Sequence, residues 1–587
     1  MSFARQLWIG ITATTTREFM LGPDKAISYN ALGDGLAQWI RLFDAHGLEC
    51  GDRIVIRTDR DEVASAAFLA ALLDGVVPIL LEGTCPDARL AAIVAAVDPK
   101  VVASDQPLPE LACDKVVLEC QAVKKGFFKS STAPHFGLVV NGGGRPPRLP
   151  ADQDGDGLAY LLFTSGTTAA PTGVQISRRN LAANLTTLAR LFEYGPDSRI
   201  FNDMILAHAD GMIQGPVLAA WTGSTVIRAG GFSVQRIEDW LAIVRQYRAT
   251  HMLTVPTVWA MIDAYAAHDD YFDSQECKVL MSVAAKLPSD LWDRIEARFR
   301  RPLVSHYGLT ETVASALYAG DWPGLGVRHS AGLPVDCAAR IAGGESQGEL
   351  ELRGDNVFAG YWRNLERSAA SFTKDGWFRT GDLAERLENG SFSIVGRLKS
   401  VIMSGGLLIR PDEIDEAMLR HTAVLESATI ALPDDVFGEI GVTAVVLRDG
   451  ADATQIDLDG HLRMQVEPRK VSKHVVILPV IPRGLSGKAS ISDLRELVTA
   501  QLENVGNARC DNSDVAAAVL AIAARVFRVA PDSLSLRSSP NDVAGWDSFN
   551  HINLIISVEQ HFACRISARQ VSGLRNLGDL AAVTSKG

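Results

Sequence analysis

The stretch LLFTSGTTAAPTGV, Leu161 to Val174, decides how the chain is read. Leu161, Leu162 and Phe163 form a short apolar run suited to a buried strand. Thr164, Ser165, Gly166, Thr167 and Thr168 follow as a loop of small, hydroxyl-rich residues. Pro171 and Gly173 then turn the chain into a second apolar strand. Such a loop offers several hydroxyls and unhindered backbone N–H groups in one place, which is what a polyphosphate requires.

Working outward, the flanks alternate between two periods. Leu32 to Phe43 has helical spacing, Arg53–Arg57 is a strand, Ala64 to Asp74 an apolar helix, Val76 to Leu81 a buried strand and Val101–Ala103 another. Asn180 to Phe192 carries Leu181, Leu185 and Leu188 on one helical face, and strands alternate with helices again between Ile200 and Val283. This alternation predicts βαβ units and a parallel sheet. From Val335 to Arg353 short strands with glycine-rich turns predict a small β-barrel. The turn Glu388–Asn389–Gly390 between alternating strands predicts a hairpin. Beyond Arg397 the pattern resets into a smaller α+β part ending near Val498. Residues 503–513 are polar and aperiodic, a linker. The remainder is helical: Val515 to Val529, Phe549 to His561 and Leu577 to Val583, a length that suits a small bundle.

Composition bounds the class. At 587 residues, 47% hydrophobic and 21% charged, the chain is long enough for several domains. A net charge of -12 argues against nucleic acid and gives no reason for a membrane surface. Eight cysteines without a CxxC pair fit neither a disulfide framework nor a zinc site, so a reducing cytoplasm is expected. No apolar run approaches the length of a spanning helix, and the N-terminal stretch lacks the apolar core and cleavage site of a leader, so it is read as mature protein.

FTSGTTAAPTG, SHYGLTET (Ser305–Thr312), WFRTGDL (Trp377–Leu383), GRLKS (Gly396–Ser400) and PRGLSGK (Pro482–Lys488) occur in the order found in acyl-adenylate-forming enzymes. These are the acyl-CoA synthetases, the luciferases and the adenylation domains of nonribosomal peptide synthetases. The resemblance spans about residues 20–498. The tail GWDSFNHINLIISVEQHF (Gly545–Phe562) resembles a phosphopantetheine-dependent carrier protein, with Asp547–Ser548 as the attachment dipeptide.

The resemblance implies a large N-terminal α/β domain of two βαβ subdomains plus the barrel at 1–396, and a small mobile α+β part at 397–502. The linker 503–513 and an all-α helical-bundle carrier domain at 514–587 would follow. It also assigns roles that suit the chemistry of a carboxylate attacking the α-phosphate of ATP. Thr164, Ser165, Gly166, Thr167 and Thr168 would hold the β- and γ-phosphates, and Glu311 would hold Mg²⁺, a hard cation suited to oxygen ligands. Thr310 would bond the α-phosphate, Tyr307 would face the adenine, Asp382 would take the ribose hydroxyls and Arg397 the ribose or phosphate. Lys488 would bridge the α-phosphate and the attacking carboxylate. Lys399 would be the hinge about which the small part rotates, and Ser548 would carry 4'-phosphopantetheine. His208, Asp210, Gly211, Gln214, Val283, His306, Ala314 and Ser315 would form the acid pocket. There Asp210 stands where amino-acid-activating members keep the carboxylate for the substrate ammonium; the alternative is that Asp210 faces solvent or pairs with His208.

The chain departs from the family in three places. Thr172 and Ala169 stand where a Lys and a Gly are usual, removing one cation from the polyphosphate end. SVAAKL (Ser282–Leu287) replaces a glycine-rich stretch. The segment after Ser548, Phe549–Asn550–His551, lacks acidic character.

The expected activity is ATP-dependent activation of a small polar or amino acid to the acyl-AMP, then loading onto the chain's own carrier arm, as in nonribosomal peptide or related biosynthesis. Phosphopantetheinyl transferase and downstream condensing or tailoring enzymes are the expected partners. The alternatives are an acyl- or aryl-CoA ligase releasing a free thioester, and a catalytically degenerate binding module.

Overall fold

The computed structural model describes residues 2–13, 16–118, 136, 145–151, 157–164, 171–398, 402–405, 407–409, 411–434, 436–448, 451, 453–467, 469–482, 491–506 and 515–527. Between 529 and 584 it describes all but 541, 544, 545, 547–549, 552, 553, 556, 559–561, 563–565, 567–569, 572 and 573. The chain divides into two compact units: Met1–Gly231 with Ile243–Pro256 and Asp270–Ser400, and Phe232–Ala242 with Thr257–Asp269 and Val401–Gly587.

The first unit is built on two largely parallel sheets. Six strands of the larger one run parallel, in the order Leu303–Tyr307, Val279–Ser282, His251–Thr254, Arg199–Asn202, Thr225–Ile227, Glu18–Gly22. Antiparallel strands flank them, Leu317–Ala319 followed by Leu333–Pro334 on one side and Lys25–Ser28 on the other. The second sheet is all parallel: Val77–Leu81, Arg53–Arg57, Val101–Ser104, Asp114–Val117. Strands buried on both faces need continuous apolar runs, and Val77–Leu81 is buried at every position. The helix Asp61–Asp74 is buried over twelve consecutive residues, so it packs as a core helix rather than an amphipathic one. It ends at Gly75 in the left-handed conformation, φ 81°. The expected alternation and parallel sheet are therefore present.

The decisive stretch forms an antiparallel hairpin, Leu158–Thr164 against Thr172–Ser177, with Thr164 opposite Thr172 at its last rung. Gly360–Tyr361 pairs with the outer edge of Thr172–Ser177. The residues between the two strands, 165–170, which include the expected phosphate ligands Ser165 to Thr168, lie outside the described residues, as does the side chain of Thr164.

In place of the expected barrel, the region after Val335 forms a four-stranded antiparallel sheet, in the order Ala338–Ile341, Gln347–Arg353, Phe378–Arg386, Phe392–Arg397. Four strands are too few to close on themselves around packed side chains. The hairpin expected at Asn389–Gly390 joins the last two strands, with Gly390 at φ 83°.

The second unit holds the sheet Leu407–Ile409, Ile402–Ser404, Gly438–Leu447, Val424–Asp434, with His474–Ile477 added parallel to Gly438–Leu447. Helices Pro411–Leu419 and Gln455–Gln465 bury Ile414, Met418, Leu458 and Leu462 in its core. Helices Val515–Phe527 and Leu577–Thr584 follow. Phe527 stacks on Trp546 at 4.4 Å, and Trp546 Nε1 donates to His551 Nδ1 at 2.9 Å. His551 is therefore a buried core residue, and burial holds its pKa down at about 4. No helix among the described residues is long and apolar enough to cross a membrane.

Candidate active site

Three groups of expected residues lie in the first unit. The first lies where Leu303–Tyr307 ends. Tyr307 Oη donates to Asp382 Oδ2 at 2.7 Å, joining two positions 75 residues apart. Asp382 is buried in the strand Phe378–Arg386, and Tyr307 is half-buried. Arg397 stands opposite Asp382 in the register of the next strand, though its side chain lies outside the described residues. A carboxylate has about four acceptor sites, so this contact leaves capacity for a diol.

The second group is the 3-10 turn Thr310–Thr312. Gly308 permits it: a Cβ there would lie 1.9 Å from the Ala314 carbonyl oxygen and 2.6 Å from Ser315 Cα. The turn exits through Val313 at φ 67°, a left-handed conformation costly for a β-branched residue and characteristic of strained functional turns. Glu311, half-buried, accepts from Tyr361 Oη at 2.8 Å through Oε1. Burial and the neighbouring Glu311 carboxylate together push the Tyr361 phenol well above its usual range. No cluster of three His, Cys, Asp or Glu able to hold a metal occurs among the described residues. A single carboxylate with one oxygen committed to Tyr361 fits Mg²⁺, which is usually held by one or two carboxylates plus substrate phosphates.

The third group is the expected acid pocket, which the structure distributes over two clusters. The short helix Ala209–Met212 runs into a π turn, Ile213–Val217, kinked at Gly215. Asn202 Nδ2 ties the Asp210 carbonyl to the central sheet at 2.8 Å. Asp210 Oδ1 accepts from buried Gln214 Nε2 at 2.7 Å, an i,i+4 pair. Burial raises the Asp210 carboxyl to about 6, with Gln214 opposing. Buried Tyr160 feels the Asp210 charge. His208 is exposed, its Nε2 3.7 Å from Glu82 Oε1. Gln214, and not His208, is thus the side-chain partner found for Asp210 among the described residues. Gly211 is needed for packing: a Cβ would lie 2.0 Å from the Ile205 carbonyl oxygen.

His306 stacks on Phe192 at 5.1 Å, with Ser315 Oγ 3.4 Å from its Nδ1. Burial drops its pKa to about 3, so the ring is neutral. Among the described residues its Nε2 is buried without a hydrogen-bond partner, a polar atom suited to a ligand. Val283 and Ala314 are buried, and the Ser315 carbonyl accepts from Asn184 Nδ2 at 2.9 Å and Asn356 Nδ2 at 3.2 Å. Lys399, Lys488 and Ser548 lie outside the described residues.

Tyr361 and Tyr160 went unnoticed in the sequence. Tyr361 precedes a tryptophan in GYW, a short apolar run that periodicity reads only as a strand, and nothing local signals its contact with Glu311 50 residues away.

Known proteins resemble this chain in sequence and fold. The family of AMP-binding enzymes matches residues 10–362, the AMP-binding enzyme C-terminal domain residues 413–488, and the phosphopantetheine attachment site residues 517–583. The chain is 31% identical over 499 residues to the sulfoacetate–CoA ligase of Cupriavidus necator, covering 80% of this chain and 93% of that one. It is 28% identical over 388 residues to the mitochondrial malonate–CoA ligase of Mus musculus, 60% of this chain and 66% of that one. A solved malonyl-CoA ligase, in a ternary product complex with methylmalonyl-CoA and AMP, superimposes with a TM-score of 0.67 at 29% identity, over 80% of this chain and 97% of that one.

Proposed function

We propose the following for this chain, which belongs to the AMP-binding enzyme family and is an adenylate-forming ligase: it activates a small polar carboxylic acid as the acyl-AMP and transfers it to its own carrier domain. The observation that carries this is the order of the matches, with a phosphopantetheine attachment site at 517–583 directly after a complete adenylating pair. We place the large part at 1–396, the small mobile part at 397–502, the linker at 503–513 and a helical carrier bundle at 514–587.

Each residue has a defined task. Asp382, oriented by Tyr307, accepts from the ribose hydroxyls, and the Tyr307 ring faces the adenine. Thr310 donates to the α-phosphate, and Arg397 binds the ribose or phosphate. Thr164 to Thr168 bind the β- and γ-phosphates through short donors. Glu311 would hold Mg²⁺, which would supply positive charge beside the phosphates. Lys488 stabilises the negative charge that accumulates as the carboxylate attacks and pyrophosphate leaves. Lys399 is the hinge for the small part. Ser548 would carry the phosphopantetheine arm, installed by a phosphopantetheinyl transferase, whose thiol would accept the acyl group. Asp210 with Gln214, and His306 with its open Nε2, read the polar end of the acid.

Relatives named for sulfoacetate and malonate, both small acids with a second acidic group, support a small polar substrate. Because those relatives are CoA ligases, the second reading is release of the product as a CoA thioester. Intact mass spectrometry after phosphopantetheinyl transfer, ATP and an acid panel separates the two. Acyl mass gain on the wild type, absent in Ser548→Ala, with carboxylate-dependent ATP–pyrophosphate exchange retained in both, supports self-loading. Acyl-CoA formation without mass gain supports the second reading.

A further inference from the structure

We propose that Arg367 binds the β- and γ-phosphates of the nucleotide and the pyrophosphate product. The inference rests on the adenylating function above and adds to it a residue that no motif contains.

Arg367 sits in the short helix Leu365–Ala370, half-buried. Its Nη1 donates to Thr172 Oγ1 at 2.9 Å, across 195 residues of sequence. Its guanidinium lies over the Tyr361 ring, 4.3 Å from the centroid, and the Tyr361 hydroxyl is the one bonded to Glu311. Thr172 forms, with Thr164, the last rung between the two strands that the hydroxyl-rich sequence connects. One cation is therefore fixed by Thr172, at the start of the strand after the hydroxyl-rich sequence, and by Tyr361, whose hydroxyl meets the carboxylate suited to Mg²⁺.

The guanidinium carries five donors, and the contact with Thr172 uses one of them. Among the described residues it forms no ion pair with a carboxylate. A partly buried cation without a counter-ion carries a desolvation cost that an anion would offset. Stacking on a ring and bonding to a hydroxyl hold the fork in place beforehand, so little freedom remains to be lost on binding. The remaining donors match phosphate oxygens bidentately. Thr172 is the position where the loop lacks a lysine, and it is the residue that Arg367 bonds. The charge missing from the loop is supplied from a distant helix.

Calorimetric titration of the full-length chain with ATP, AMP and inorganic pyrophosphate, each with Mg²⁺, tests this without requiring turnover. Arg367→Ala is expected to weaken ATP and pyrophosphate about ten- to a hundredfold, the value of one or two charge-assisted contacts. AMP, which lacks those phosphates, should change by less than about twofold. Arg367→Lys should fall between, and Thr172→Lys placed in the Arg367→Ala chain should restore ATP binding. Equal weakening of ATP and AMP would assign Arg367 to folding and overturn the inference, as would unchanged ATP binding in Arg367→Ala. A wild type that binds neither ATP nor pyrophosphate overturns the adenylating function itself, a distinct outcome.

Discussion

Asp210→Asn should stabilise the protein at pH 8 and lose that advantage near pH 4.5. In the folded chain, burial raises the Asp210 carboxyl from 3.8 to about 6. A raised carboxyl binds its proton more tightly folded than unfolded. Its favourable contribution is therefore complete below about pH 4 and lost as pH rises through about 6. Above that, the folded state holds an ionised carboxylate whose side-chain hydrogen-bond donor, among the described residues, is Gln214. Two pKa units correspond to about 3 kcal/mol. The residue keeps some exposure, so we expect about 1–3 kcal/mol after screening. With about 2.1 cal/mol/K of unfolding entropy per residue and a unit of roughly 400 residues, this is about 1–4 °C in Tm. The assay is thermal denaturation of wild type and Asp210→Asn from pH 4.5 to 8.5 without ligand. A Tm difference that stays constant with pH, or a variant less stable throughout, would refute the reasoning.

Other expectations follow from the same site. Gly308→Ala should cost about 4 kcal/mol or more, because its Cβ would overlap the Ala314 carbonyl oxygen at 1.9 Å; low soluble yield and a lowered Tm would show it. Tyr307→Phe removes a donor from buried Asp382 and should cost about 1–3 kcal/mol. Saturating AMP should shrink that deficit, since ribose hydroxyls replace the lost donor. Lys488→Ala should reduce carboxylate-dependent ATP–pyrophosphate exchange by about two orders of magnitude or more, with AMP binding retained. If Asp210 meets a substrate ammonium, an amino acid should outperform its des-amino analogue in exchange, and Asp210→Ala should narrow the preference by roughly 3 kcal/mol; equal rates on the matched pair would leave Asp210 to Gln214 alone.

The sequence alone determined what depends on near neighbours. Apolar runs bounded by turn residues specified strands such as Arg53–Arg57, Val77–Leu81 and Val101–Ser104, and Asn389–Gly390 specified a hairpin, whose Gly390 takes positive φ. The five ordered motifs identified the chemistry, because each keeps its reactive residue types at short spacing. The Asp210–Gln214 bond was within reach too, since residues four apart on a helix meet on one face. Tertiary structure decided what joins distant segments. Whether the strands after Val335 close or stay open depends on which edges meet, and they form a four-stranded sheet rather than a barrel. The bond from Tyr307 to Asp382, and the chain from Thr172 through Arg367 and Tyr361 to Glu311, join segments 50 to 195 residues apart. Periodicity constrains which way a side chain faces, and only packing fixes which side chain it meets. The depressed pKa of His306 and the raised one of Asp210 have the same origin: both come from loss of water around the group, which no local stretch of sequence specifies.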